Sequence, residues 1–344
     1  MQTSITFNKS GYDPFIDYIK AFAIIGVLIG HTFPFLDYWG YGLWIGMQVP
    51  LFVLVQSFHC FKKETSSFSI KKLSRRVILP FLLIQILLFS IFIIKDYIKN
   101  GDYNLVSLLK LFAIDGGAGP GSYYPWVYLQ IAILLPIIKK YMEKGTRIQL
   151  AVVSLIICEA LEIVCSVIDL PDFIYRLLSI RYFFLFYIAW IWVTEGISIN
   201  RKTLLLSLLS LLAAIYFYYY SVNDEPLFYN TAWITHRWPC YYYVAIVGVY
   251  LLYCIYQTLS KNNHIDSFIR LLAKCSYEIF LIQMAIIVIL PSADSIMSFL
   301  DGRGISISGI MLNGMRIAMI FIISIWGGYW LNVEYGKFVK KVKK

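Results

Sequence analysis

Residues 16–31 read IDYIKAFAIIGVLIGH, an apolar run that carries Asp17 and Lys20 near one end and His31 at the other. Such a run is typical of a helix that crosses a bilayer, whose hydrocarbon core takes about 20 apolar residues. The whole chain agrees, since 59% of its residues are hydrophobic, 15% are charged and the mean hydropathy is +0.69. Too few polar side chains remain to cover a soluble core. The sequence therefore predicts an all-α, polytopic membrane helix bundle that forms one domain over residues 1–344.

Apolar runs recur along the chain, and the basic residues between them predict how it is threaded. Ten runs lie near residues 15–36, 41–61, 77–94, 124–142, 148–167, 179–197, 203–221, 239–258, 274–291 and 308–332. If the amino terminus is cytoplasmic, the inside segments hold 21 of the 30 basic residues. Because basic residues accumulate in cytoplasmic loops, both termini are predicted to be cytoplasmic. The net charge of +10 thus reflects membrane topology, and nucleic acid is not expected as a partner.

Two connections and the cysteines complete the organisation. A basic cytoplasmic loop spans residues 62–76, and an outer loop spans 95–123. Within the outer loop, LVSLLKLF at 105–112 predicts a short interfacial helix. The glycines and proline of DGGAGPGSYYP, residues 115–125, then predict a shaped loop that leads into the fourth span. Because the six cysteines lie singly in apolar segments, we expect free thiols and no structural metal: Cys60, Cys158, Cys165, Cys240, Cys254 and Cys275.

The ionisable residues of the first span fall on one helical stripe. Lys20 and His31 are eleven residues apart, which is about 20° from alignment and about 16 Å along the axis. Asp17 lies three residues before Lys20, a spacing at which the two side chains meet. One explanation is that Lys20 reaches the headgroups and His31 ends the helix. The other is functional, since imidazole exchanges protons near neutral pH and suits a general base acting on a hydroxyl.

The motifs of the chain resemble those of the acyltransferase family 3 membrane proteins. The first-helix signature of that family, a basic residue and a histidine with ten residues between them, matches Lys20 and His31. At two positions the chain departs from the family, with Phe58 in place of a small glycine and Gln283 in place of a common histidine. Further similar stretches are VPLFVLVQSF (49–58), KKLSRRVILPF (71–81), GSYYPWVYLQ (121–130), SIRYFFLFYIAW (179–190) and KCSYEIFLIQM (274–284).

The resemblance implies an O-acyltransferase, with acetyl-CoA as a co-substrate and no permanently bound cofactor. His31 would be the general base or acyl carrier, and Glu159 and Glu162 would orient it or hold the acceptor. Cations suit the phosphates of coenzyme A, and the donor-binding set is Lys20, Lys72, Arg75 and Arg76. The acceptor-side set is Asp17, Tyr123, Tyr124 and Arg181.

Each of these assignments has a structural alternative. The basic loop also suits membrane topology or anionic lipid, and the tyrosines also suit anchoring at the interface. The glutamates also suit a structural pair with Arg181, and Arg316 is another intramembrane charge that would serve as partner.

The sequence thus favours an integral enzyme of the bacterial inner membrane that acetylates an envelope glycan or a lipid-linked saccharide. The rival is a lipid-saccharide flippase or small-molecule transporter, because buried charges in many helices also describe carriers. Against a carrier, the two halves show no matching pair of interrupted helices.

Overall fold

The computed structural model describes residues 3–7, 11–33, 48–63, 73–101, 104–222, 242–303 and 308–341, which are predominantly α-helical. Four described helices are long and apolar enough to cross a membrane, and the number rises to five if a helix pair bent by 67° forms one span. The protein is therefore a helical membrane protein, whereas the count of ten spans stays a prediction. The four helices are Pro14–Thr32, Ser74–Ile98, Arg147–Val167 and Gly309–Val339, and the bent pair is Asn263–Lys274 with Ser276–Ile289.

The elements are numbered in chain order. The strands are β1 (Thr3–Ile5) and β2 (Ile197–Ile199). The α-helices are α1 (Pro14–Thr32), α2 (Gln48–Lys62), α3 (Leu79–Asn100), α4 (Leu105–Leu109), α5 (Tyr124–Met142), α6 (Arg147–Val167), α7 (Asp172–Leu177), α8 (Phe183–Thr194), α9 (Arg201–Val222), α10 (Val249–Leu259), α11 (Asn263–Lys274), α12 (Ser276–Ile289), α13 (Ala293–Asp301) and α14 (Gly309–Lys341). Tighter or wider helical turns adjoin them at Ser74–Ile78, Lys110–Ile114, Ser179–Tyr182 and Val244–Gly248.

Local sequence signals explain several helix ends. A capping box joins the Thr146 side chain to the backbone of Gln149 and the Gln149 side chain to the backbone of Thr146, which fixes the start of α6. The helix α3 ends at Gly101, whose φ of 70° is the left-handed conformation that glycine adopts without strain. The predicted outer loop therefore begins about six residues later than 95, because the polar turn after the apolar run is still helical.

The structure also differs from the predicted all-α class. The strand β1 pairs antiparallel with β2, with Thr3 opposite Ile199. A turn at Gly196 (φ 80°) makes this possible, because a Cβ there would lie 2.2 Å from the carbonyl oxygen of Ile5. Hydrophobic periodicity did not indicate the pair, since strands of three residues are too short to show it.

Contacts divide the chain into two compact units. The first comprises Met1–Gly26, Phe35–Ser69 and Trp126–Ala273, and the second comprises Val27–Pro34, Ile70–Pro125 and Lys274–Lys344. The division falls between Gly26 and Val27, inside α1. One continuous helix therefore contributes to both units.

The core of the first unit is built around α8, which packs against α2 and α6. Leu185, Phe186 and Trp192 of α8 are fully buried. Phe7, just after β1, stacks on the Trp192 ring with centroids 5.8 Å apart. Gln48 of α2 donates to the carbonyl of Gly26 on α1 (3.1 Å). These contacts fix α1 beside α2 within this unit.

In the second unit, α12 packs against α14, and a glutamine holds the outer loop. A Cβ on Gly328 of α14 would lie 2.7 Å from the backbone nitrogen of Ile279, so the two helices approach closely there. Gln85 of α3 accepts from the backbone N–H of Ala118 (2.7 Å) and donates to its carbonyl (3.2 Å). The predicted shaped loop is thus present, and Gln85 fixes its backbone.

Gly328→Ala is predicted to destabilise the protein, because its methyl group collides with the backbone of α12. Overpacking of this kind costs about 1–3 kcal/mol. Thermal unfolding in detergent micelles measures the loss. The matched control is Gly336→Ala in the same helix, where a Cβ meets nothing within 4 Å. That change should be neutral or slightly stabilising, and equal melting of both variants would contradict the close helix contact.

Candidate functional site

The amino-terminal turns of α1 carry a paired acid and base. The Lys20 ammonium lies 2.6 Å from the Asp17 carboxylate, and their side chains are 25% and 12% exposed. The Tyr12 hydroxyl donates to the other oxygen of Asp17. Burial, followed by the hydrogen bond to Asp17, raises the pKa of Tyr12, so this phenol is a stable donor at neutral pH. The predicted pairing of Asp17 with Lys20 is therefore present, and Lys20 is partly accessible.

The helix α11 holds this end of α1 in place. The Tyr18 hydroxyl donates to Asp266 (3.0 Å), and Arg270 donates to Asp266 (2.7 Å) and to the Tyr12 hydroxyl (3.3 Å). Asp266 thus accepts from both Tyr18 and Arg270, which ties α11 to the first turns of α1. Sequence analysis missed this network, although the four-residue spacing of Asp266 and Arg270 is its signal.

Further cations lie near Lys20 in the first unit. His59, at the exposed end of α2, is within electrostatic range of Lys20, Lys62 and Lys63. Lys62 donates to the backbone carbonyl of Gly11, which precedes α1 (2.5 Å). The start of the predicted basic loop thus adds positive charge around Lys20, as a phosphate-binding surface requires.

The end of the basic loop lies in the second unit, where Arg75 and Arg76 occupy the wide helical turn before α3. The Tyr335 hydroxyl of α14 donates to the carbonyl of Arg75, and the Tyr277 hydroxyl donates to that of Val77 (2.7 Å). The Arg76 side chain is exposed. Both tyrosines fix the backbone and leave the guanidinium groups for other partners. Lys72 lies outside the described residues.

His31 occupies the last turn of α1, in the second unit. Its side chain is exposed, whereas Leu28 and Thr32 beside it are buried. The Thr32 hydroxyl donates to the carbonyl of Leu28 (2.6 Å), which closes the turn. The next residue, Phe33, meets the Phe321 ring of α14 edge-on with centroids 6.4 Å apart. The imidazole is therefore accessible, and the backbone that carries it is fixed.

The predicted acidic residues of α6 differ in their surroundings. Glu162 is buried and accepts from the Tyr175 hydroxyl, whereas Glu159 is half-buried. The Arg181 guanidinium is buried and lies over the rings of Tyr175 (5.2 Å) and Tyr182 (4.6 Å). Glu162 and Arg181 thus both contact Tyr175, the first at its hydroxyl and the second over its ring. The structural pair between the two that the sequence left open stays an alternative.

The two tyrosines of the outer loop are placed by glycines. Tyr124 is buried edge-on against Phe280 (centroids 6.0 Å apart), and Tyr123 is half-buried. Gly119 and Gly121 have φ of 95° and 81°, and a Cβ on either would collide with α12. Tyr123 is therefore the more accessible of the two rings. Sequence analysis also missed Gln85, whose signal was an amide in an apolar helix.

These features define a class of protein: a helical membrane protein with an accessible imidazole at one end of α1 and a cationic surface at the other. The family model described as an acyltransferase domain matches residues 13–333, almost the whole chain and parts of both units. The chain belongs to acyltransferase family 3, which confirms the resemblance. Searches of curated proteins and of solved structures found no significant match. Membership supports a membrane acyltransferase in general, with an acyl donor and an acceptor.

Arg181→Met is predicted to destabilise the protein strongly, because it removes a buried cation from beside Tyr175 and Glu162. Breaking a buried charge cluster costs about 3–5 kcal/mol. The control is Arg147→Met, which removes an exposed ion pair to Glu195 (2.6 Å; side chains 51% and 41% exposed) and should cost at most about 1 kcal/mol. Thermal unfolding in micelles compares the variants. An Arg181→Met protein of normal stability that fails in acyl transfer would instead make Arg181 a substrate-binding residue.

Proposed function

We propose that the protein is an O-acetyltransferase of the bacterial cytoplasmic membrane, which moves acetyl groups from cytoplasmic acetyl-CoA to hydroxyls of an envelope glycan or a lipid-linked saccharide. The observation that carries the proposal is α1 in a chain of acyltransferase family 3. This unbroken helix bears Lys20 near its first turns and His31 in its last turn. Helical rise separates the two by about 16 Å on one face. A donor held by its phosphates at Lys20 can direct its thioester along α1 toward His31.

The cations favour coenzyme A as the donor. Lys20 is partly exposed, and Lys62 and Lys63, like Lys20, lie within electrostatic range of His59. Arg76 is exposed on the turn before α3. Phosphates bind to fixed cations by charge-assisted hydrogen bonds. The proposed donor-binding residues are therefore Lys20, Lys72, Arg75 and Arg76.

The chemistry assigned to His31 is proton transfer or acyl transfer. As a general base, neutral imidazole takes the proton of the acceptor hydroxyl while the hydroxyl oxygen attacks the thioester carbonyl. The carbon–sulfur bond breaks, and the coenzyme A thiolate takes the proton from the imidazolium. As an acyl carrier, the imidazole nitrogen first attacks the thioester carbonyl, the carbon–sulfur bond breaks, and the thiolate leaves and takes up the proton that the imidazole loses. The acceptor hydroxyl oxygen then attacks the acyl-imidazole, the carbon–nitrogen bond breaks, and the hydroxyl proton passes to the imidazole. Both routes need an accessible ring, which His31 has.

The acceptor side is assigned to the remaining predicted residues. Tyr123 is half-buried on the outer loop, where an aromatic ring can stack on a sugar. Glu159 is the half-buried carboxylate of α6, whereas Glu162 is buried and, like Arg181, contacts Tyr175. Asp17 acts through Lys20, because its carboxylate holds that ammonium.

His31→Ala should abolish acetyl transfer while the protein inserts and folds normally. Removing a general base costs about 100-fold or more in rate. Purified protein is incubated with radiolabelled acetyl-CoA, and the release of labelled acetate measures slow hydrolysis by water. Mass spectrometry then compares envelope glycans from cells with and without the gene and detects added acetyl groups by their mass.

The matched control is His264→Ala, which removes an exposed histidine at the start of α11 and should change nothing. A fully active His31→Ala protein would remove His31 from the mechanism. Transport of an intact solute into liposomes, without any acetyl transfer, would instead show a carrier.

Lys20→Gln should raise the KM for acetyl-CoA about ten-fold, because it loses a charge-assisted bond of about 1.4 kcal/mol. Lys20→Arg keeps the charge and should restore most of the affinity. Hydrolysis of acetyl-CoA at two salt concentrations measures both. Lys261→Gln, on the exposed turn after α10, is the control. An unchanged KM in Lys20→Gln would place the donor elsewhere.

A further inference from the structure

Gln283 of α12 is a fully buried amide that the fold leaves without a partner. Its exposed fraction is 0%, and neither its oxygen nor its nitrogen makes a hydrogen bond to any residue that the structure describes. Ser324 of α14 is also 0% exposed, and its hydroxyl has no partner within the same ranges. A buried polar group is costly unless it is hydrogen-bonded, so such groups call for a ligand or water.

Other glutamines of the described residues make bonds that Gln283 lacks. Gln85 uses both amide atoms on the backbone of Ala118. Gln130 also uses both, since it donates to the Leu177 carbonyl (2.7 Å) and accepts from the backbone N–H of Ser179 (3.1 Å). Gln56 donates to the Tyr128 carbonyl (3.0 Å) and leaves its buried oxygen without a partner. Gln283 differs from these three because both of its amide atoms are unpaired.

The packing of α12 on α14 puts Gln283 and Ser324 at the same level. Close approaches join Ile279 to Gly328 and Ile282 to Gly327. The two helices are antiparallel at this contact. Gln283 follows Ile279 by four residues, and Ser324 precedes Gly328 by four residues, so both are displaced from the contact in the same direction. Both then lie about 6 Å along the axes and about 40° round their helices from the contact. The two residues therefore lie at the same level of the region where α12 packs on α14.

That region lies near the end of α1 that carries His31. Ser324 is the central residue of the apolar span Gly309–Val339. Phe321, one turn away on the same side of α14, meets Phe33, two residues after His31. On the other side of Gln283, Met284 is close to Gly119 of the outer loop. The unpaired groups thus lie deep in the second unit, within about one helical turn of the level of the Phe33 contact.

We propose that Gln283 and Ser324 bind a hydroxyl group of the acceptor, a neutral polyol, and position it for reaction. The amide offers N–H donors and one carbonyl acceptor, and the serine hydroxyl can both donate and accept a hydrogen bond. An alcohol complements them because it donates as well as accepts, whereas a thioester carbonyl only accepts. The inference rests on the proposed acetyl transfer and adds the residues that choose the acceptor.

Gln283→Leu and Ser324→Ala test the proposal with two readouts. Purified protein hydrolyses acetyl-CoA with water, and this half-reaction should keep its rate and its KM for acetyl-CoA. Acetylation of envelope glycans in cells should fall about ten-fold or more in Gln283→Leu, because a bound hydroxyl loses its partner. The melting temperature should stay equal or rise, since leucine removes an unsatisfied amide. The control is Ser57→Ala, whose fully buried hydroxyl already donates to Val53 in its own helix (2.8 Å).

Each contrary result has its own meaning. A lower melting temperature for Gln283→Leu would show a structural role through bound water. A raised KM for acetyl-CoA in hydrolysis would assign the amide to the neutral arm of coenzyme A. Unchanged glycan acetylation would overturn the proposal while acetyl transfer stands. Wild-type protein that neither hydrolyses nor transfers acetyl groups would overturn the proposed function itself.

Discussion

Polar groups inside an apolar helix bundle must find their partners within the protein, because lipid offers none. Several polar groups of this chain meet the requirement through contacts within one helix or between neighbouring elements. Asp17 binds Lys20 and Tyr12, and Glu162 accepts from Tyr175. Gln85 satisfies both of its amide atoms on the backbone of the outer loop. These paired groups fix the start of α1, the cluster beside α6 and the loop before α5.

Groups that are accessible, or are buried without a partner, are the ones that remain for chemistry. The exposed ring of His31 can exchange a proton or an acyl group with a substrate. Gln283 is fully buried and uncharged, so it can bind a neutral group and cannot transfer a proton at neutral pH. The two therefore suit different tasks, reaction for the imidazole and recognition for the amide. Partly exposed Lys20 suits a third task, which is to hold an anionic donor.

The parts of the fold that follow from local sequence were predictable. The runs 124–142 and 148–167 agree with α5 and α6 to within a residue, because an apolar run of that length is itself the span. Contacts between distant residues were not predictable. Tyr18 and Asp266 are 248 positions apart, and no periodicity connects them. The family motif indicated Lys20 and His31, because both lie in one short stretch of sequence. The contacts of Tyr175 with Glu162 and Arg181 join separate elements, so they needed the structure.

Lys20 and His31 share a face because of the periodicity of one helix. Eleven residues are just over three turns, so the two side chains share a face, whereas nine residues would put them on opposite faces. The docking of α11 fixes the first end through Tyr18, and the Phe33 ring fixes the second against Phe321. A helix held at both ends keeps Lys20 and His31 at a constant separation. Such preorganisation is what the proposed attack on a thioester requires.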